Sequence, residues 1–387
     1  MNNQGQAVAT EGALHEIVVY PIGSAGRLGK PWQVELPGDG GVGETSVTLG
    51  SHGKIAVGAV YGNGVAIASW TLGETPPMAQ VFPLSPSVEA AGLSPLKAPL
   101  LVIGPSAVTA LWTIGLPPQR EETIYPPKEI EQAYGPFGSQ LTSAQLFAAP
   151  QEVVDPYLSL EPNGDPVASW LDDGDKIRTV TGPRSGALQH SATAQEAPGL
   201  FDVGGFTSDY EGDTVFSYFS RVSKTAGELR YMTSHDGGPF TPPRDIALTG
   251  DELFDASVFA GGDRTLLAFW QCESPTRDCK ERGKIGKVSG ALSRSFTTYA
   301  TPEAFISSSG RAVIIYHTEC CGLYAVTAEP GRQFTSPRRF ATRLPKGYAF
   351  GAGGDEEPPP STSPNGHAIL YFTNEENGRQ YLVRYTP

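Results

Sequence analysis

The sequence predicts an all-β fold in which many short strands joined by turns form one large repetitive domain. Three observations carry this. The 387 residues include 46 glycines and 34 prolines, which break helices and supply turns. Aromatic residues make up 10% of the chain, enough to pack a core. A glycine turn that leads through β-formers to a large aromatic, as from Gly164 to Trp170, recurs along the chain.

In order, the recurrences run from Gly53 to Tyr61, Gly104 to Trp112, Gly164 to Trp170, Gly212 to Tyr218, Gly262 to Trp270, Gly310 to Tyr316 and Gly366 to Phe372. The separation is six or eight residues each time. An even separation keeps the aromatic on one face of a strand, and an odd slip would move it to the other. Inner strands are expected before each glycine, at 46–49, 99–103, 157–160, 202–206, 256–260, 304–307 and 360–363. Third strands are expected at 65–71, 176–181, 228–233, 284–288, 323–328 and 380–385. A second echo, Phe-Thr-x-Pro-Arg, occurs at 240–244 and 334–338.

Four-stranded units at this period predict a single β-propeller of antiparallel blades over 1–387. The repeat units are 1–40, 41–94, 95–153, 154–200, 201–250, 251–301, 302–343 and 344–387, the first and last partial. The N-terminal copy offers a second strand at 6–10, a third at 15–21 and a fourth at 31–36, with no inner strand before them. The C-terminal copy stops after its third strand. Seven blades are favoured and eight are the alternative. The ring is expected to close by mixing N- and C-terminal strands, which would leave no blade edge open.

Lys+Arg number 28 against 41 Asp+Glu, a net charge of −13, which repels phosphate backbones and argues against nucleic acid as a partner. No run of eighteen apolar residues predicts a transmembrane helix. The N-terminus shows no basic region followed by an apolar stretch, so no signal peptide is expected within this chain. Cys272, Cys279, Cys320 and Cys321 are an even set clustered in two loops, which suits disulfides and an extracellular, cell-surface or periplasmic location. Two pairings stay open. One closes each loop locally, with a strained vicinal Cys320–Cys321 bridge, and the other staples neighbouring blades. Reduced, buried or zinc-bound thiols are the alternative.

Ser234-His235-Asp236-Gly237-Gly238-Pro239-Phe240, between a third and a fourth strand, resembles a shortened Ser-x-Asp-x-Gly-x-Thr-Trp turn of the sialidase-like propellers. Sialidase activity would imply three arginines, a Tyr–Glu pair and a further acid. The Phe/Tyr-Arg-Ile-Pro motif of that group is absent. Arg120, Arg178, Arg221, Arg277 and Arg282 fall near the expected binding face, and motif spacing singles out no three of them.

In propellers, the loops joining strands two and three share a face with the blade-to-blade connections, and binding favours that face. The candidates there are Asp172, Asp173, Asp175, Arg221, His317 and Glu319. The three aspartates could hold Ca²⁺ through carboxylate oxygens, but the loop lacks the closing glutamate of an EF-hand, and a solvated acidic turn is favoured. No other cofactor is expected. His317 is read as structural or merely exposed. No Gly-x-Ser-x-Gly, His-Glu-x-x-His or phosphate-binding glycine loop occurs. The recurring aromatics are read as wedges between blades. The expected function is non-catalytic recognition of a protein or glycan through the loop face. A carbohydrate-active enzyme with acid/base carboxylates at the channel mouth is the alternative.

Overall fold

The computed structural model describes residues 6–23, 28–116, 129–148, 153–172, 176–189, 193–223, 226–249, 253–272, 282–290, 292, 296–297, 303–318, 322–330, 332–341, 348–349, 361–374 and 380–387. Their strands form eight antiparallel sheets that follow one another in chain order. The fifth sheet shows the plan, with Leu200–Ser208, Asp213–Ser223, Ala226–His235 and Arg244–Thr249 paired in sequence. In the third, the first strand is split into Ser94–Pro95 and Leu100–Ile103, both pairing with Ala107–Gly115.

Each sheet packs face to face on the next, and the period-two alternation of the strands makes this possible. Along Lys54–Tyr61, Val57 and Ala59 pack toward the first sheet while Ala56 packs toward the third. Along Ala312–Thr318, Ala312 and Ile314 join the sixth sheet and Val313 and Ile315 the eighth. With both faces covered, the second strand Pro166–Asp172 is buried throughout. A final cluster of Ile369 with Ala7 and Ile22 joins the last sheet to the first. A ring of sheets packed in this way is a β-propeller.

First strands of neighbouring sheets approach one another and surround the axis. Ser46 Oγ donates to Pro99 O at 2.6 Å, the Tyr157 and Ser208 hydroxyls are 2.8 Å apart, and Thr207 Oγ1 accepts from Ala260 N at 3.3 Å. Gly164 sits at φ +87°, and a Cβ there would lie 2.3 Å from Pro105 Cδ in the neighbouring sheet's turn. Its glycine is therefore fixed by conformation and by contact. Four of the even-spaced aromatics are wedges between sheets. Tyr61, Trp112, Trp170 and Tyr218 are each buried against the preceding sheet, with Trp112 5.9 Å from Phe82 and Trp170 5.3 Å from Phe147.

Among the described residues the strands make eight sheets, the stated alternative to the seven blades favoured. Ala7–Ala13 runs antiparallel to Val42–Leu49, since Thr10 meets Thr45 while Gly12 lies by Val42 and Gln6 by Gly53. That is the direction of a second strand, so the first sheet holds strands two to four. The eighth holds a split first strand, Tyr348–Ala349 and Ser361–Thr362, then Ala368–Asn374 and Gln380–Tyr385. Among the described residues no strand of one pairs with a strand of the other. Each described terminal sheet carries a second and a third strand, and the two meet through Ile369, Ala7 and Ile22.

Candidate functional site at the loop end

The ring has two chemically different ends. One carries the hairpins between second and third strands and the starts of the first strands; we call it the loop end. The other carries the turns between first and second and between third and fourth strands; we call it the turn end.

At the loop end, strand register brings forward a set of arginines that motif spacing did not. Arg178 pairs opposite Trp170, Arg230 opposite Tyr218 and Arg282 opposite Trp270, the same place in three consecutive sheets. These arginines are 52 residues apart in the sequence, a signal that was there to be read. Arg178 Nε is paired with the buried carboxylate of Asp172, and its guanidinium lies 5.1 Å from the centre of the Phe147 ring. Arg230 is held between Glu228, which is buried, and Asp245 at 3.2 Å. Burial raises the neighbouring Tyr218 hydroxyl's pKa, with Arg230 opposing the shift.

Arg221 is different. It lies near the end of Asp213–Ser223, its N–H donates to Gly199 O at 3.3 Å, and its guanidinium lies 4.0 Å from the centre of the Phe201 ring. Phe201 is 60% exposed. The ladder skips it, passing from Leu200 to Asp202 through a bulge, so the ring is left out of the sheet's packing. Arg221 makes no ion pair to a described residue.

Of the other expected site residues, Asp172 is at this end but its carboxylate is engaged by Arg178. His317 lies near the end of Ala312–Thr318, opposite Leu323 in the ladder. Cys272 ends Thr265–Cys272, opposite Leu253. Asp173, Asp175, Glu319, Cys279, Cys320 and Cys321 lie outside the described residues, as do the side chains of His317 and Cys272. Among the described residues no three His, Cys, Asp or Glu side chains converge as a metal site would require.

At the turn end, carboxylates tie neighbouring turns together. Asp209 Oδ1 accepts from Glu211 N at 2.9 Å and Asp213 N at 2.8 Å, capping the turn. Burial pushes the Asp209 carboxyl up to about 7, against those backbone donors and with help from the nearby Asp213 and Glu211 charges. Asp213 accepts from His235 Nδ1 at 2.8 Å and faces Arg264 Nε of the sixth sheet at 3.3 Å. Glu211 accepts from the backbone N–H of Asp263 at 2.8 Å. Glu161 of the fourth sheet is raised by burial, then by Asp236 and Asp165. Within the turn that resembles the sialidase-like motif, Ser234 Oγ donates to Gly238 O at 2.6 Å.

No family model matches the chain, and no curated protein matches it. Solved structures do resemble it. The BP39L lectin from Burkholderia pseudomallei is 12% identical, with a TM-score of 0.50 over 87% of this chain and 98% of that one. The polysaccharide lyase Uly1 is 10% identical, with a TM-score of 0.52 over 88% of each chain. At such identities the likeness is one of fold.

Proposed function

We propose that the protein is a non-catalytic glycan-binding propeller of the cell exterior, engaging its ligand at the loop end around Phe201 and Arg221. The observation that carries the reading is the exposed Phe201 ring with a guanidinium seated over it at 4.0 Å. An aromatic face can stack on the C–H face of a sugar, and the arginine supplies directional donors beside it. A lectin and a polysaccharide lyase among proteins of similar fold make a saccharide the favoured ligand over a protein. In this reading Asp172, Asp173, Asp175, His317 and Glu319 border the same face, and Cys272, Cys279, Cys320 and Cys321 form disulfides suited to an oxidising compartment. We also take 234–240 as a degenerate sialidase-like turn, a role supported by its place between third and fourth strands and by the Ser234–Gly238 bond.

A glycan array read beside a panel of activated glycosides and uronate polymers tests this. Saturable binding without turnover, lost in Phe201→Ala at unchanged melting temperature, is the expected result. The second reading, a carbohydrate-active enzyme, is favoured by one observation: a histidine oriented by a buried carboxylate, His235 with Asp213, beside the up-shifted Glu161. Turnover removed by His235→Gln would establish that reading and end the binding-only one.

A further inference from the structure

We infer that the saccharide taken at the loop end is an acidic one, bearing a carboxylate or sulfate that Arg221 grips; this rests on the glycan-binding reading above. The argument is a contrast among arginines of the same end. Arg178 and Arg230 have carboxylates of their own, Asp172 for the first and Glu228 with Asp245 for the second. Arg178 is paired there through Nε, and Arg230 through both Nε and a terminal guanidinium nitrogen. Arg221 has no such partner among the described residues and is held by the Phe201 ring alone.

Stacking on a ring uses the face of a guanidinium and leaves its in-plane N–H groups free. Those groups form the fork that matches a carboxylate or sulfate in two parallel hydrogen bonds. The carboxylate that follows Phe201, Asp202, is exposed, and its Oδ1 accepts from Val203 N at 2.8 Å. On a chain of net charge −13, a cation with no acidic partner among the described residues, beside an exposed ring, is a local exception to the surface field. The ring and the fork together select a ligand that is apolar on one face and anionic at one edge, which a uronate or sulfated sugar is and a neutral hexose is not.

Isothermal titration with three probes decides this: a galacturonate tetrasaccharide, its carboxyl-reduced neutral counterpart, and a sulfated tetrasaccharide of the neutral sugar. The wild type is expected to bind at least one anionic probe roughly 10–100-fold more tightly than the neutral one, as for a charge-assisted pair. Whether the carboxylate or the sulfate arm shows the gain identifies the group. Arg221→Gln is expected to erase that preference, Arg221→Lys to restore part of it, and Phe201→Ala to weaken all probes alike. Equal affinity for anionic and neutral probes in the wild type would overturn the inference and leave glycan binding intact. An anionic preference that survives Arg221→Gln in a protein of unchanged melting temperature would overturn it as well. No binding to any probe or to any arrayed glycan would remove the glycan-binding reading and the inference with it.

Discussion

The two ends of the ring are made from the same repeat and spend their charged residues in opposite ways. At the turn end, carboxylates face inward to the structure: buried Asp209 caps its own turn, buried Asp213 holds His235 and reaches Arg264 of the next sheet, and half-buried Glu211 holds the backbone of that sheet's turn. At the loop end, Arg178 and Arg230 are closed by their own acids, while Arg221 and Phe201 face outward. The difference follows from geometry. Turns between first and second strands are short and crowd the neighbouring sheet, so their polar groups must find partners within the protein. Hairpins at the other end vary in length, and Phe201 and Arg221 beside one of them are exposed, so a side chain there can remain available for a ligand.

Substitutions can test the contrast, and the largest effect is expected at Gly237. It sits at φ +62°, and a Cβ there would lie 1.9 Å from Thr181 Cγ2 of the fourth sheet. Gly237→Ala should cost about 2–4 kcal/mol in chemical denaturation, from left-handed strain and the contact together. Asp213→Asn comes next. It removes the charge between His235 and Arg264, both of which are about half exposed and screened by water, so about 1–2 kcal/mol is expected at neutral pH. Glycan affinity should not move in either variant that remains folded. A loss of binding in Asp213→Asn at unchanged fold would shift the functional site to the turn end.

Asp209→Asn should work in the other direction. The folded protein raises this carboxyl to about 7 from 3.8, so the unfolded chain gives up its proton first. The destabilisation is absent below the unfolded value, grows as pH rises from 3.8, and is complete above about 7. Asparagine keeps the Oδ1 acceptor and removes the charge. The variant should be more stable than wild type by about 1–2 kcal/mol at pH 8, after allowance for solvent screening, and no more stable at pH 3. Equal pH profiles for the two proteins would mean that Asp209 is not held as described. The smallest stability effect is expected at the loop end, where Phe201→Ala and Arg221→Gln should change unfolding free energy by less than about 0.5 kcal/mol. A larger loss would make that pair part of the scaffold.

Much of the scaffold was legible because it is local. The six-or-eight spacing from glycine to aromatic is a statement about one strand, and Trp170 and Tyr218 lie in the wedges that parity requires. The third strand Gln380–Tyr385 has the bounds read from its residues. The strand Glu129–Pro136 was missed, since its Glu-Ile-Glu-Gln run lacks the apolar signature of the others. The arginine series was missed for a different reason. Arg178, Arg230 and Arg282 follow their repeat glycines by 14, 18 and 20 residues, so no fixed offset marks them. Lengthening hairpins offset the glycine spacings of 48 and 50 to give an even 52. Register shows that the three positions are equivalent, and the even 52-residue spacing is its trace in the sequence.

The sequence by itself determined the all-β repeat, the strand bearing the Gly164–Trp170 motif, and the face on which each aromatic lies, because turn conformation and side-chain alternation act over a few residues. The tertiary structure decided that the first and last described sheets meet through Ile369. It also decided that Asp172 is consumed by Arg178 and that Arg221 is left on an exposed ring. These outcomes depend on how hairpins of unequal length align across sheets and on which charges sheet packing brings together. Local pattern carries neither.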